Sequence, residues 1–177
     1  MGWNNMLHIL GAILVIWTCS GTGIYISNHY TNMANELMSL LQAANIIRGE
    51  IKYAASELPE VFAHAADRSC GSIKMWLVNL SDKTLKCHDR SFMEIWEAEM
   101  QTLKRYSSLN EKQLGNVHEL GNVLGYLDVA SQLNGLSLWE ENVRFEYEVL
   151  RDKLVHIKKM ATLLGFLTGI IIVIIFI

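Results

Sequence analysis

Few residues in this chain have the type and spacing that chemistry needs. Cys70, Cys87 and the adjacent His88 offer three zinc-ligand types, but their spacing matches no zinc module. Cys19, Cys70 and Cys87 form no C-x-x-C pair either, so reduced thiols are the simpler reading. A Cys–His nucleophile needs contact in space, which adjacency in sequence does not supply. The acidic pairs Glu97/Glu99, Glu140/Glu141 and Glu146/Glu148 have the residue type for acid–base work. They sit in charge-dense segments, where a solvated helix face is expected instead. His64 and Asp67 read as a surface helix pair in the same way. His8 lies near the end of an apolar run, where its ring reaches an interface. Gly21-Thr22-Gly23 lacks the following lysine of a phosphate loop, so energy input must come from a partner. No catalytic, metal or cofactor site is expected.

The elements that hold these residues follow from the charge distribution. All 15 Lys/Arg and all 18 Asp/Glu fall between Glu36 and Lys159, with a net charge of −3. Such unevenness excludes an ordinary globular domain, and the lack of a basic block argues against nucleic acid. The uncharged run Met6 to Tyr25 is twenty residues, about 30 Å as a helix, which matches a bilayer core. With no Lys or Arg before it, a retained span is favoured over a cleaved signal. Met160 to Ile177 is expected to be a second span, polar only at Thr162 and Thr168. Cys19 with Gly23, and Gly165 with Gly169, are small residues four apart, a spacing that lets membrane helices pack closely. Arg151, Lys153, Lys158 and Lys159 precede the second span, so the positive-inside rule puts the middle in the cytoplasm and both ends outside. Lys158 and Lys159 would sit at the anionic inner leaflet.

Residues 30–159 read as a helical bundle, and the class is all-α. Leu37, Leu40, Leu41, Ala44, Ile47, Ile51, Ala54 and Leu58 trace one helix face, broken at Leu58-Pro59. Val61, Phe62, Ala65 and Ala66 form the apolar side of a short helix, and Ile73 to Leu80 an amphipathic one. Ser91-x-x-Glu94 and Ser108-x-x-Glu111 fit capping boxes that open helices. Phe92, Ile95, Trp96 and Leu103 follow the first; Leu114, Val117, Leu120 and Leu124 follow the second. Gly125 closes that helix, and Asp128 is the expected N-cap of the next. From Leu136 through Trp139, Val143, Tyr147, Leu150, Leu154 and Ile157 to Leu164, apolar residues recur with a mean step near 3.5. A stalk helix over 131–159, continuous into the last span, is the expectation.

The order of short sequence features also carries a resemblance. Leu10-Gly11-Ala12 lies in the first span, followed by Glu50-Ile51-x-Tyr53 and Leu58-Pro59. Leu120-Gly121-x-x-Leu124-Gly125 precedes Asp128 and Gln132, and Lys159-Met160-x-x-Leu163-Leu164-Gly165 enters the last span. The chain resembles the stage III sporulation protein AB family of endospore-forming bacteria, itself similar to the F-type platform protein of type II secretion and type IV pilus machines. It departs from the pattern at Asn28 to Asn32, at Ala54 and at Ser56-Glu57. The resemblance implies a non-enzymatic membrane subunit of a channel complex between mother cell and forespore. Its partners would be a secretion-type ATPase (the AA protein of the same set), other membrane subunits and other copies of itself. Glu50, Tyr53, Leu58 and Pro59 would shape the first helix pair, Gly121 and Gly125 allow close packing, and Asp128 open the stalk. The alternative from the residues alone is a membrane-anchored scaffold that dimerises through the stalk seam. A thiol enzyme built on Cys87 and His88 is a third reading.

Overall fold

The computed structural model describes the backbone of residues 2–54, 56–87, 89–126 and 128–176, with side chains except at 2–23, 157, 158 and 161–176. Among these residues there is no strand. The helices are α1 (Gly2–Gly49), α2 (Leu58–Asp67), α3 (Gly71–Lys86), α4 (Phe92–Tyr106), α5 (Glu111–Leu124) and α6 (Val129–Phe176), with a π-helical turn over Glu50–Ala54. The chain divides into two units: Met33–Val149, and Met1–Asn32 with Leu150–Ile177.

The unit Met33–Val149 is the bundle. Leu37, Leu40, Leu41, Ala44 and Ile47 are buried along one side of α1, as a period of 3.6 dictates. The side ends there. Ile51 is only half-buried and Ala54 is exposed, contrary to the expected face through Leu58. The π turn is the reason: its wider i→i+5 winding rotates the following residues out of line with the turn before. The expected break also moves. Glu57, with φ −70° and ψ 148°, is the extended residue, and Leu58 already opens α2. The Glu57 carbonyl accepts from the N–H groups of Glu60 and Val61, closing a first turn in which the missing N–H of Pro59 costs nothing.

Capping sets the later helix starts. Ser91 and Glu94 form the reciprocal box at α4. At α5 the box is Asn110 with Gln113, not Ser108 with Glu111. The Ser108 N–H donates instead to Glu36 Oε2 at 2.7 Å, which takes the donor that a reciprocal bond from Glu111 needs, and the helix opens two residues later. α3 begins at Gly71, whose φ of +59° only glycine adopts without strain.

The core is aromatic at its centre. Trp76 of α3 meets Trp96 of α4 edge-on, with centroids 4.9 Å apart, and Phe62 and Phe92 flank Trp96. α6 closes the other side with Leu136, Trp139 and Val143, and Trp139 Nε1 donates to the Asn116 carbonyl at 2.7 Å.

Charges expected on solvated faces turn out to be internal, one from each acidic pair. Glu99 is 1% exposed and pairs with Lys83; Glu140 is 5% exposed and pairs with Arg48. The Glu146 carboxylate lies between Lys112 Nζ and the Asn116 amide. Each partner comes from another helix, so the pairing is invisible to the local charge density that suggested solvation. Glu36 does similar long-range work, accepting from Ser72 Oγ at 2.6 Å as well as from Ser108 N–H. Glu36→Ala is therefore expected to destabilise the bundle by about 2 kcal/mol, since two charge-assisted bonds between distant segments are lost. Chemical unfolding of the full chain measures it, and an unchanged midpoint would refute the role.

In the unit Met1–Asn32 with Leu150–Ile177, both chain segments are helical. Among the described residues no helix is long and apolar enough to cross a membrane. The expected spans Met6–Tyr25 and Met160–Ile177 fall almost wholly outside the described side chains. Ile24, Tyr25 and Met160 at their edges are exposed.

Candidate partner-binding surface

The end of the bundle formed by the α1 terminus and the start of α6 collects most of the unusual local structure. The π turn leaves Tyr53 79% exposed, the most exposed of the large hydrophobic residues described in the bundle. π turns of this kind cost regular hydrogen bonding and recur at functional sites. Here Glu50 locks the turn to the next helix. Its carboxylate accepts from Ser56 Oγ at 2.8 Å and meets His64 Nδ1 of α2 at 3.0 Å. The Ser56 hydroxyl first, then His64, holds the Glu50 carboxyl below the usual carboxylate range. His64 thus pairs with Glu50 and not with Asp67, because α2 turns it back toward the end of α1.

Three clefts adjoin one another here. The first, about 640 Å³, lies between α1 and α2 and includes Glu50, His64, Asp67 and Arg68. The second, about 450 Å³, lies between the π turn and α6 and includes Arg48, Lys52, Tyr53 and Ser137. The third, about 630 Å³, lies at the α5–α6 connection and includes Gly125, Tyr126 and Asp128. Asn45 lines both the first and second, and Asn134 both the second and third, so the surface is continuous.

Local sequence explains the α5–α6 end of it. Asp128 Oδ1 accepts from the Ser131 N–H at 2.9 Å, capping α6; the Ser131 hydroxyl first, then its N–H, holds the Asp128 carboxyl below its ordinary value. Gln132 donates from its amide to the carbonyls of Leu124 and Tyr126, tying the connection down. Tyr126 is left half-exposed beside it.

The residues singled out from sequence therefore separate into groups. Glu50, Tyr53, Gly125 and Asp128 come together on this surface. Leu58 and Pro59 lie apart at the start of α2, where the Pro59 carbonyl accepts from Ser81 Oγ at 2.7 Å. Gly121 is inside the core against Trp96. Lys159 is exposed in the other unit. At Cys19, Gly23, Lys158, Gly165 and Gly169 only the helical backbone is described, so their expected packing and interface roles lie outside the described side chains. Cys70 and Cys87 cap opposite ends of α3, about 25 Å apart at 1.5 Å per residue, so they cannot share a metal ion. His88 lies outside the described residues, and among those described no three acidic, His or Cys side chains are placed to hold a metal.

Lys52, Asn45, Asn134 and Gly135 were missed from sequence. Gly135 carried a signal, an isolated glycine inside a helical pattern. A Cβ there would fall 2.8 Å from Val123 Cγ1, so glycine is what lets α5 and α6 approach.

The family model for stage III sporulation protein AB matches residues 8–177 of this chain. The chain belongs to the stage III sporulation protein AB family. Stage III sporulation protein AB of Bacillus subtilis (strain 168) is 23% identical over 168 residues, covering 95% of this chain and 98% of that one. A solved structure of a stage III sporulation protein AB superposes with a TM-score of 0.65 at 18% identity, over 70% of this chain and 97% of that chain. At that identity the likeness speaks to the helical fold. The family places the chain in sporulation and is not a known family of enzymes.

Proposed function

We propose that this chain is a membrane-embedded, non-enzymatic platform subunit of a secretion-like channel complex between mother cell and forespore. A cytoplasmic secretion-type ATPase docks on its bundle. Two spans, Met6–Tyr25 and Met160–Ile177, hold it in the mother-cell membrane, with Lys158 and Lys159 at the inner leaflet. Cys19 with Gly23 and Gly165 with Gly169 pack the spans against each other, against further copies or against other membrane subunits.

The observation that carries the docking reading is the continuous cleft surface at the ends of α1 and α6. It joins an exposed aromatic, a π turn and polar groups, and exposed aromatics beside polar rims are where binding energy concentrates. It lies on the parts of α1 and α6 most remote in sequence from the apolar segments. The surface offers no phosphate loop, so the work of a moving assembly is supplied by the partner. α6, one helix from Val129 to Phe176, would carry movement from bundle to span.

Charge reversal at Lys52, Arg68 and Asp128 together is expected to abolish co-purification with the ATPase while membrane insertion persists. Unchanged co-purification would remove this surface as the docking site. Topology is tested by impermeant maleimide on intact and permeabilised cells. Exposed Cys70 is expected to react only after permeabilisation. Labelling in intact cells would end the ATPase reading. The scaffold alternative is disfavoured by one observation: Leu136, Trp139 and Val143, the first part of its dimer seam, are buried in the bundle's own core.

A further inference from the structure

We infer that the cleft between the π turn and α6 receives a carboxylate side chain from an acidic segment of a partner protein. The inference deepens the docking reading above by naming the partner's chemistry at that surface.

Among the described residues the cleft is lined by two cations, Arg48 and Lys52, and by no acidic side chain. The side chains of Asn45, Asn134 and Ser137 add hydrogen-bond donors around them. At about 450 Å³ it has room for a side chain and the backbone that carries it. Arg48 is held in place: Nη2 donates to Asn45 Oδ1 at 2.8 Å, and Nη1 lies 3.3 Å from Glu140 Oε2. Its guanidinium has five donors in a rigid fork, so those two contacts leave others to present. Glu140 offsets the charge of Arg48, which makes Lys52 the uncompensated cation of the cleft. Among the described residues Lys52 has no ion-pair partner; its ammonium rests 5.0 Å from the ring centroid of Tyr53. The same ring, 79% exposed, forms the outer wall. An ammonium poised over an exposed tyrosine gains a carboxylate partner without losing its contact with the ring.

A lipid headgroup would meet the same two cations but suits the surroundings less well. Anionic membrane surfaces are read by clusters of several Lys/Arg. The neighbouring clefts instead carry Glu50, Asp67 and Asp128, partly offset by Arg68, which would repel an extended anionic sheet. A single acidic segment, entering one cleft between those acids, avoids that repulsion.

The test uses the full chain in detergent and three fluorescent probes: hexaglutamate, hexaglutamine, and a water-soluble short-chain phosphatidylglycerol. Anisotropy is expected to show hexaglutamate binding that weakens with salt and exceeds hexaglutamine binding. Lys52→Glu should weaken it by at least about tenfold and Tyr53→Ala by a smaller factor, because the first reverses the uncompensated charge. Both side chains are exposed, so unchanged melting confirms that the variants fold. Arg48 is left in place, because its loss would unpair buried Glu140. Hexaglutamate binding that is absent, unchanged in Lys52→Glu, or matched by hexaglutamine overturns the inference. Phosphatidylglycerol binding that depends on Lys52 and displaces the peptide also overturns it, in favour of a headgroup. Co-purification of the ATPase on the same variants decides the docking reading separately, so the two ideas fail independently.

Discussion

Gly121→Ala is expected to destabilise the bundle by about 2 kcal/mol and to lower its melting temperature by roughly 5 to 10 °C. A Cβ at this position would stand 2.6 Å from Trp96 Cδ1, well inside contact distance. Trp96 has nowhere to go. It is fully buried, edge-on to Trp76 at 4.9 Å and against Phe92 at 5.6 Å. Either the indole leaves its rotamer or α5 lifts away from α4, and both disturb the aromatic centre of the core. Alanine returns up to about 1 kcal/mol through helix propensity, which the clash must exceed. Gly115, on the same helix, isolates that propensity gain because nothing lies within 4 Å of its added Cβ. Gly115→Ala should therefore stabilise by up to about 1 kcal/mol. Thermal melts of the full chain, followed by near-UV circular dichroism, compare the two. Equal stability of Gly121→Ala and the parent chain would show that the core yields more easily than its packing implies.

The second large effect is expected at the Arg48–Glu140 pair. Removing one partner of a buried pair typically costs 3 to 5 kcal/mol, roughly. Arg48 is 38% exposed at its side chain, so solvent screens part of that, and Arg48→Ala is expected to cost about 2 kcal/mol. The carboxylate left behind is 5% exposed, and its second oxygen makes no hydrogen bond among the described residues. Burial pushes the Glu140 carboxyl above its ordinary 4.5, while Arg48 and Arg144 pull it partly back. A carboxyl raised on folding binds its proton more tightly in the folded state. Its contribution to stability is then full below about pH 4.5 and is lost as the pH rises through the folded value. Glu140→Gln should thus be more stable than the parent at neutral pH, and the advantage should vanish on acidification below about pH 4.5. The same substitution should restore much of the loss in Arg48→Ala, because no charge remains to be stranded. Unfolding curves from pH 4 to 8, roughly, across the four chains test this. A Glu140→Gln chain less stable than the parent at neutral pH would show that the pair attracts more than burial costs.

Both effects depend on residues whose importance sequence reading caught unevenly. Gly121 was marked for close packing, from its place in Leu120-Gly121-x-x-Leu124-Gly125, but not its neighbour Trp96, which lies 25 residues earlier. Glu140 was read as solvated, because the sequence around it is charged and Arg48 is 92 residues away. The α4 capping box was legible, since both partners lie within four residues. The α5 box was misplaced by two residues, because a carboxylate from α1 had claimed the Ser108 N–H. The cleft surface was half legible: Glu50, Tyr53, Gly125 and Asp128 were named separately, with nothing to say that they share one end of the bundle.

What the sequence by itself determined is therefore whatever periodicity and short-range chemistry carry. The all-helical class, the buried side of α1 up to Ile47 and the apolar sides of α2 and α3 follow from which residues repeat every third or fourth position. Tertiary structure alone decided where α1 loses its register, which carboxylates go inside, which glycines touch another helix and which clefts join. The physical reason is range. A helix face is set by neighbours a turn away, whereas an ion pair, a close helix crossing or a cleft is set by groups that only folding brings together.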